Sequence, residues 1–230
     1  MAQRNRVARR AELVAACRRV AASRGLGRAS VRSVASEAEV SVGSVMYYFD
    51  SFEELMHAAV EGVLEEFHQR RLRIVESIPD PAARLRALIE AGVPDAISDD
   101  LRVVYECIGF LRDHPQYLPL HRLIVERQVM LYRSVLELGV ATGAFRPTGE
   151  LTWIARNLVA LEDAYDMYPL VGVELDRAEC RAAVVSYAEL ALQCSLAGSA
   201  TAIARSTRRF EDSGAFESAQ LVRRDRDAHS

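Results

Sequence analysis

The sequence predicts an all-α protein: an N-terminal three-helix headpiece of the helix-turn-helix kind, followed by a larger helical body. Two observations predict the class. Apolar residues recur at three- and four-residue spacing from about Leu13 to Leu196, the signature of helices with one buried face. No alternating β-branched run bounded by hairpin turn residues occurs. A third observation places the headpiece. The stretch 30–55, SVRSVASEAEVSVGSVMYYFDSFEEL, reads as two short helices with a tight turn between them and the capped start of a third. Such a pair can lay its second helix in the major groove of DNA.

In chain order, Arg4, Arg6, Arg9 and Arg10 form a basic arm, expected to be mobile. Leu13, Ala16, Cys17, Val20 and Ala21 make the stripe of a first helix, which ends at Ser23-Arg24-Gly25 with Gly25 as its cap. Ser30 caps the second helix, whose apolar face is Val31, Val34, Ala35 and Ala38. The pattern breaks at Glu39-Val40-Ser41, and Ser41 caps a third helix that runs through Val42, Val45 and Phe49. Ser51 to Glu54 matches a capping box, and a long stripe follows through Met56, Ala59, Val60, Val63, Phe67 and Ile74 until Pro79 and Pro81. This helix is long enough to serve both headpiece and body.

Five more helices build the body. They are expected at about Pro81 to Ile97, from Asp99-Asp100 through Leu101, Val104, Tyr105, Ile108 and Leu111 to His114-Pro115, at Pro119 to Thr142, at Glu150 to Tyr168, and at Asp176 to Leu196. A turn separates the third and fourth at Gly143 to Gly149. The expected division is a DNA-binding headpiece over 1–50, a ligand-binding and dimerisation body over 51–197, and a polar tail over 198–230.

Composition narrows the class. Half of the 230 residues are hydrophobic, yet no apolar run approaches the roughly 18 residues that span a bilayer. The basic N-terminus lacks the apolar segment of a secretory signal. Cys17, Cys107, Cys180 and Cys194 form no CxxC pair, so neither a zinc site nor a disulfide framework is expected, and a reducing cytoplasm fits best. All 29 basic residues are arginine, a bias that GC-rich coding explains as well as function does. Residues 1–49 carry nine arginines against Glu12, Glu37 and Glu39, a balance of +6; the total of −3 leaves −9 on the rest. A basic end on an acidic body points to one surface for a polyanion and another for something else.

From Val40 to Leu55 the chain resembles the TetR-type one-component transcription regulators, whose headpiece carries a pattern like A-G-V-S-x-G-T-L-Y-x-Y-F-x-S-K-E-E-L. Ala38, Val40, Ser41, Gly43, Tyr48, Phe49, Ser51, Glu53, Glu54 and Leu55 match it, and Ser44 and Val45 are conservative replacements. The upstream SVRSVASEA is similar to the family's T-V-R-D-I-A segment. The resemblance covers roughly the first 60 residues. It implies an operator-binding dimer that senses a small molecule, with repression relieved by the ligand. The sequence departs from the pattern at three places. Glu39 replaces the turn glycine, at a cost on the order of 1 kcal/mol if its φ is positive. Met46 stands where a tyrosine is usual, and Phe52 replaces a lysine that commonly points at a phosphate.

The expected DNA contacts follow. Val42 reaches a thymine methyl, Ser44 a base edge, and Gly43 lets the backbone approach. Tyr47 and Tyr48 send hydroxyls to phosphates, which orient the protein without reading sequence. Arg4, Arg28 and Arg32 add cationic contacts, and backbone N–H groups near Ser51 can face a phosphate. For the small molecule, of unknown identity, the candidates are Tyr105, Gln128, Tyr132, Trp153 and Asn157, around a mostly apolar cavity among the helices that open at Asp99-Asp100, Pro119 and Glu150. For any one of these the ordinary reading, a core aromatic or a satisfied amide, competes. For dimerisation they are Cys180, Val184, Tyr187, Ala191 and Cys194, pairing with a second copy as a four-helix interface. A two-fold dimer implies a palindromic operator read by helices about 34 Å apart, or a multiple of that turn.

No catalytic constellation stands out. The five histidines form no pair on one helical turn, and there is no HExxH, G-x-S-x-G, phosphate loop or GxGxxG. Neither catalysis, metal nor cofactor is expected, and no membrane partner. Two alternatives stay open: an activator or ligand-independent DNA-binding protein, and a helical enzyme or carrier.

Overall fold

The computed structural model describes residues 2–25, 28–99, 101–105, 115 and 118–196, and the side chains of all of these except residues 2–5, 24, 120 and 121. The described residues form helices and no strand. In order they are α1 (Ala2–Arg24), α2 (Val31–Glu37), α3 (Val42–Tyr48), α4 (Phe52–Ser77) and α5 (Pro81–Gly92). A helical segment over 101–105 is α6, followed by α7 (Leu118–Ala141), α8 (Leu151–Leu170) and α9 (Arg177–Leu192).

Local chemistry sets these boundaries. Ser30, Ser41, Ser51, Asp80 and Asp176 each stand in extended backbone and accept a bond from a first-turn N–H, which supplies a partner to a donor that has none inside the helix. Ser30 and Ser33 close a full capping box. Gly25, at φ +77, ends α1 while its N–H bonds the Ala21 carbonyl at 2.9 Å.

Several expectations need correction. The basic arm is not an arm: residues 2–10 continue α1, and Arg9 pairs with Glu12 on the same helix face. The box at Ser51 is half as read. Its hydroxyl accepts from Glu54 N, but Glu54 reaches back to the N–H of Asp50, at 2.8 Å. α5 stops at Gly92 because Pro94 follows two residues later. Ser98 caps the turn at Leu101, and Asp100 lies outside the described residues. α9 ends at Gln193, which adopts φ +45. Cys107, Ile108, Leu111 and the tail from Ala197 lie outside the described residues.

Two apolar cores result. The first joins Leu13, Ala16, Cys17, Val20 and Ala21 of α1 to Val34, Ala35, Val45 and Phe49, and extends into Leu55, Met56 and Ala59 of α4. The second packs α5, α7, α8 and α9 around Leu88, Ile89, Tyr132, Val135, Leu136, Leu158, Val184 and Leu192. α4 belongs to both units: its first two turns complete the headpiece, and Leu72, Ile74 and Val75 pack against the body core. α6 makes a second connection, because Val103 is buried in the headpiece core.

Candidate functional site

The headpiece exposes one face of α3. Val45 and Phe49 are buried, while Val42, Gly43, Ser44, Met46 and Tyr47 face solvent. Tyr47 is 70% exposed and meets half-buried Tyr48 edge-on at 5.1 Å. A Cβ on Gly43 would meet only Ser41 Oγ, at 3.8 Å. Nothing among the described residues therefore requires glycine there. The Ser44 hydroxyl lies 3.0 Å from that of Ser41, and the Ser51 hydroxyl is occupied as a cap. Arg28 and Arg32 are exposed near the start of α2, and the side chain of Arg4 lies outside the described residues.

Arg10 does something different from its expected place in a basic arm. It donates to the Tyr48 carbonyl and to Glu54, both at 2.7 Å, and lies 4.1 Å over the Phe49 ring. Its guanidinium fastens the end of α3 to α1 and α4. The hydrogen bonds from Arg10 and then from Asp50 N–H hold the Glu54 carboxyl below its usual range.

Below the headpiece, α4, the α5–α6 connection, α6, α7 and α8 enclose a cavity of about 220 Å³. Val63, Leu64, Phe67, Leu101, Val104, Ile124 and Val159 make its apolar walls. Tyr105, Gln128, Arg70, Arg71, Glu66, Glu162, Asp163 and Asp166 supply its polar groups. Arg71, Glu162 and Tyr132 form a buried unit. The Arg71 guanidinium donates to both Glu162 oxygens, at 3.0 and 3.3 Å, the Tyr132 hydroxyl donates to the same carboxylate, and the Tyr132 ring lies 5.0 Å from the guanidinium. Burial pushes the Glu162 carboxyl up to about 7, against the pull of Arg71. Arg71 stays charged: burial pulls its value down, but Glu162 and Tyr132 together more than offset that. Gly92 makes the arrangement possible: a Cβ there would stand 1.9 Å from Glu162 Oε1. Next to this unit, Arg177 binds the Pro94 and Tyr165 carbonyls and the Asp166 carboxylate. Burial nevertheless raises Asp166 to about 6.

The structure brings together only some of the expected ligand residues. Tyr105 and Gln128 line the cavity. Tyr132 stands behind it in the ion-paired unit. Trp153 and Asn157 do not belong to it: Trp153 is 64% exposed, and Asn157 donates to the Tyr187 hydroxyl at 2.8 Å on the outer surface. At about 100° per residue, Trp153 lies some 180° around α8 from Glu162, so it must face away. Sequence reasoning missed Arg71 and Glu162 as a pair. Its signals were an arginine about one helical turn beyond Phe67 on the apolar face of α4, and the acidic Glu162-Asp163 in a largely apolar helix.

Of the expected dimer residues, Cys180, Val184 and Ala191 are buried in the protomer's own core, with Cys194 packed against it, whereas half-buried Tyr187 also reaches the outer surface through its bond from Asn157. The face that α8 and α9 leave to solvent carries Trp153, Asn157, Met167 and Leu190 instead. Among the described residues, no cluster of histidine, cysteine or acidic side chains is arranged to hold a metal ion, and no helix is long and apolar enough to cross a membrane.

Comparison with known proteins places the chain among similar ones. The model of the bacterial regulatory proteins of the tetR family matches residues 13–59. The HTH-type transcriptional repressor KstR2 of Rhodococcus jostii strain RHA1 is 31% identical over 140 residues, which cover 60% of this chain and 68% of that one. KstR2 of Mycobacterium tuberculosis strain H37Rv is 30% identical over 154 residues, covering 64% and 74%. Among solved structures, a transcriptional regulator from Rhodococcus sp. Rha1 superposes with a TM-score of 0.69 at 26% identity, over 80% of this chain and 96% of that one.

Proposed function

The chain belongs to the tetR family of bacterial regulatory proteins and is a DNA-binding transcription regulator; from that premise we propose that it represses as a two-fold dimer released from its operator by a small molecule. α3 enters the major groove with Val42, Gly43, Ser44 and Tyr47 toward the bases and phosphates. Arg28 and Arg32 meet the backbone. The cavity beneath α4 holds the effector, and a second copy docks on the outer face of α8 and α9. The headpiece occupies 1–50 together with the first turns of α4, and the body follows.

One observation carries the mechanism. The same two elements build the headpiece core and the cavity wall: α4 through Met56 and Ala59 above and Val63 and Phe67 below, and α6 through Val103 above and Leu101, Val104 and Tyr105 below. A ligand that prefers one placement of these elements shifts the spacing of the two headpieces, and thereby the population able to bind DNA. Coupling of about 1–3 kcal/mol changes operator affinity roughly 5- to 150-fold.

The test begins by selecting genomic fragments that bind the full chain, then measures their affinity with and without extracts of the genes they flank. Release by a small molecule, abolished by filling the cavity with Val104→Trp, supports the reading. Fragments bound by a monomer, or release that ignores Val104→Trp, would sink it.

A further inference from the structure

Two polar atoms in the cavity wall lack partners. Gln128 Oε1 and Arg71 Nε are buried and accept or donate no hydrogen bond, although their residues are only 8% and 2% exposed and both line the cavity. Buried polar groups are nearly always satisfied, so an exception calls for a cause. Both side chains line the cavity, from adjacent helices α7 and α4. Gln128 stands one helical turn before Tyr132 on α7, and the Tyr132 ring lies 5.0 Å from the Arg71 guanidinium.

Of the charged groups around them, Arg70 is exposed and keeps its charge in solvent, and the others already have partners. Glu66 pairs with Arg18, Glu162 with Arg71, and Asp166 with Arg177. Asp163 accepts from the Tyr105 hydroxyl at 3.1 Å. An ionic ligand would give up its hydration and gain only the solvent-screened charge of Arg70, not a buried unmatched counter-charge, which disfavours it. The orphan atoms ask for one acceptor and one donor. An alcohol or a carboxamide supplies both, and a hydroxyl suits either orientation of the Gln128 amide. Size sets the remaining limit: a cavity of about 150 Å³ holds benzene, and this one measures about 220 Å³.

Building on the effector reading above, we propose that the cavity takes a neutral, mostly apolar molecule on the scale of a fused bicycle, anchored by a hydroxyl or carboxamide to Gln128 and Arg71. Tyr105 and the apolar side chains of α4, α6 and α7 enclose its body. The polar group replaces the hydrogen bonds that water would offer these atoms, whereas a pure hydrocarbon would displace water without replacing them.

Four probes of one shape test this by calorimetric titration of the full chain at neutral pH: 2-naphthol, naphthalene, 2-naphthoate and 2-naphthylmethylamine. The expected order puts 2-naphthol about tenfold or more ahead of naphthalene, with the anion and the cation weakest. Gln128→Met should erase the advantage of the alcohol while leaving naphthalene binding in place. Gln128→Glu, which adds an unmatched carboxylate, should move the preference to the amine. A wild-type preference for either ion, an alcohol no better than the hydrocarbon, an alcohol advantage that survives Gln128→Met, or failure of all four to bind overturns the proposal. The effector reading is tested separately: 2-naphthol that binds in the expected order but leaves DNA affinity unchanged counts against ligand-controlled release, not against the chemistry of the cavity.

Discussion

At the residue scale, the most consequential groups are the carboxylates buried beside the cavity. Burial raises Glu162 to about 7 and Asp166 to about 6, in each case against the pull of a paired arginine. Both folded values lie above the ordinary carboxyl values, so the native state holds protons that the unfolded chain has released. Their stabilising contribution is therefore complete below about pH 4 and is lost as pH rises through 6 and 7. Glu54, Glu65 and Glu66 have lowered values and stay ionised in both states above pH 6, so they are silent there. His68, lowered chiefly by burial, acts in the opposite sense below its ordinary 6.5. The urea midpoint should consequently fall between pH 6.5 and pH 8. Glu162→Gln should flatten that slope and lower stability chiefly above pH 7, by up to about 3–5 kcal/mol, because there it leaves the buried Arg71 without an ionised counter-charge. A wild-type midpoint that is flat or rising over this interval would show that these carboxyls titrate normally. The sequence shows charged residues on apolar faces but not that they pair, since Arg71, Glu162 and Gly92 come from three helices and meet only when α4, α5 and α8 pack.

At the scale of elements, local signals were readable and long-range ones were not. The serine caps of α2, α3 and α4 were legible because a cap is decided within four residues. The end of α5 was misread because the apolar period continues past Pro94, and the inner face of α9 was taken for an interface because a stripe does not say which partner it packs against. Glu39 was readable as a strained turn, and it does adopt φ +53. Glu39→Gly should therefore raise stability by about 0.5 kcal/mol, the relief of a left-handed side chain less the added freedom of the unfolded glycine; unchanged or lower thermal stability would contradict it. α3 permits a prediction about readout. Its exposed residues Val42, Gly43, Ser44, Met46 and Tyr47 include no arginine, asparagine or glutamine, the side chains that bind guanine or adenine in bidentate fashion. Val42 and Met46 instead offer apolar surface suited to thymine methyls. Replacing thymine by deoxyuridine in a selected half-site removes only those methyls, and should weaken binding several-fold per contacted base. Met46→Ala should reduce that loss. Equal affinity for both duplexes would exclude methyl readout.

For the whole molecule, the question is what the exposed face of α8 and α9 covers. The Asn157–Tyr187 hydrogen bond ties the two helices together at the surface. Trp153 lies one turn away on α8 and Leu190 one turn away on α9, at 64% and 77% exposure. A tryptophan and a leucine this exposed, side by side on paired helices far from the headpiece, cost solvation in a lone protomer and gain it back in a two-fold pair, where each meets its own copy. Leu190→Asp places two like charges across such a pair. It should yield a monomer in sedimentation velocity, with helical content and cavity titrations unchanged, because Leu190 takes no part in either core. Binding to a two-half-site fragment should then drop by about a hundredfold or more, since the second headpiece no longer arrives at high effective concentration, while binding to a single half-site stays as it was. If Leu190→Asp remains dimeric, the pair is held by another surface, and the spacing of the headpieces must be set elsewhere than at α8 and α9.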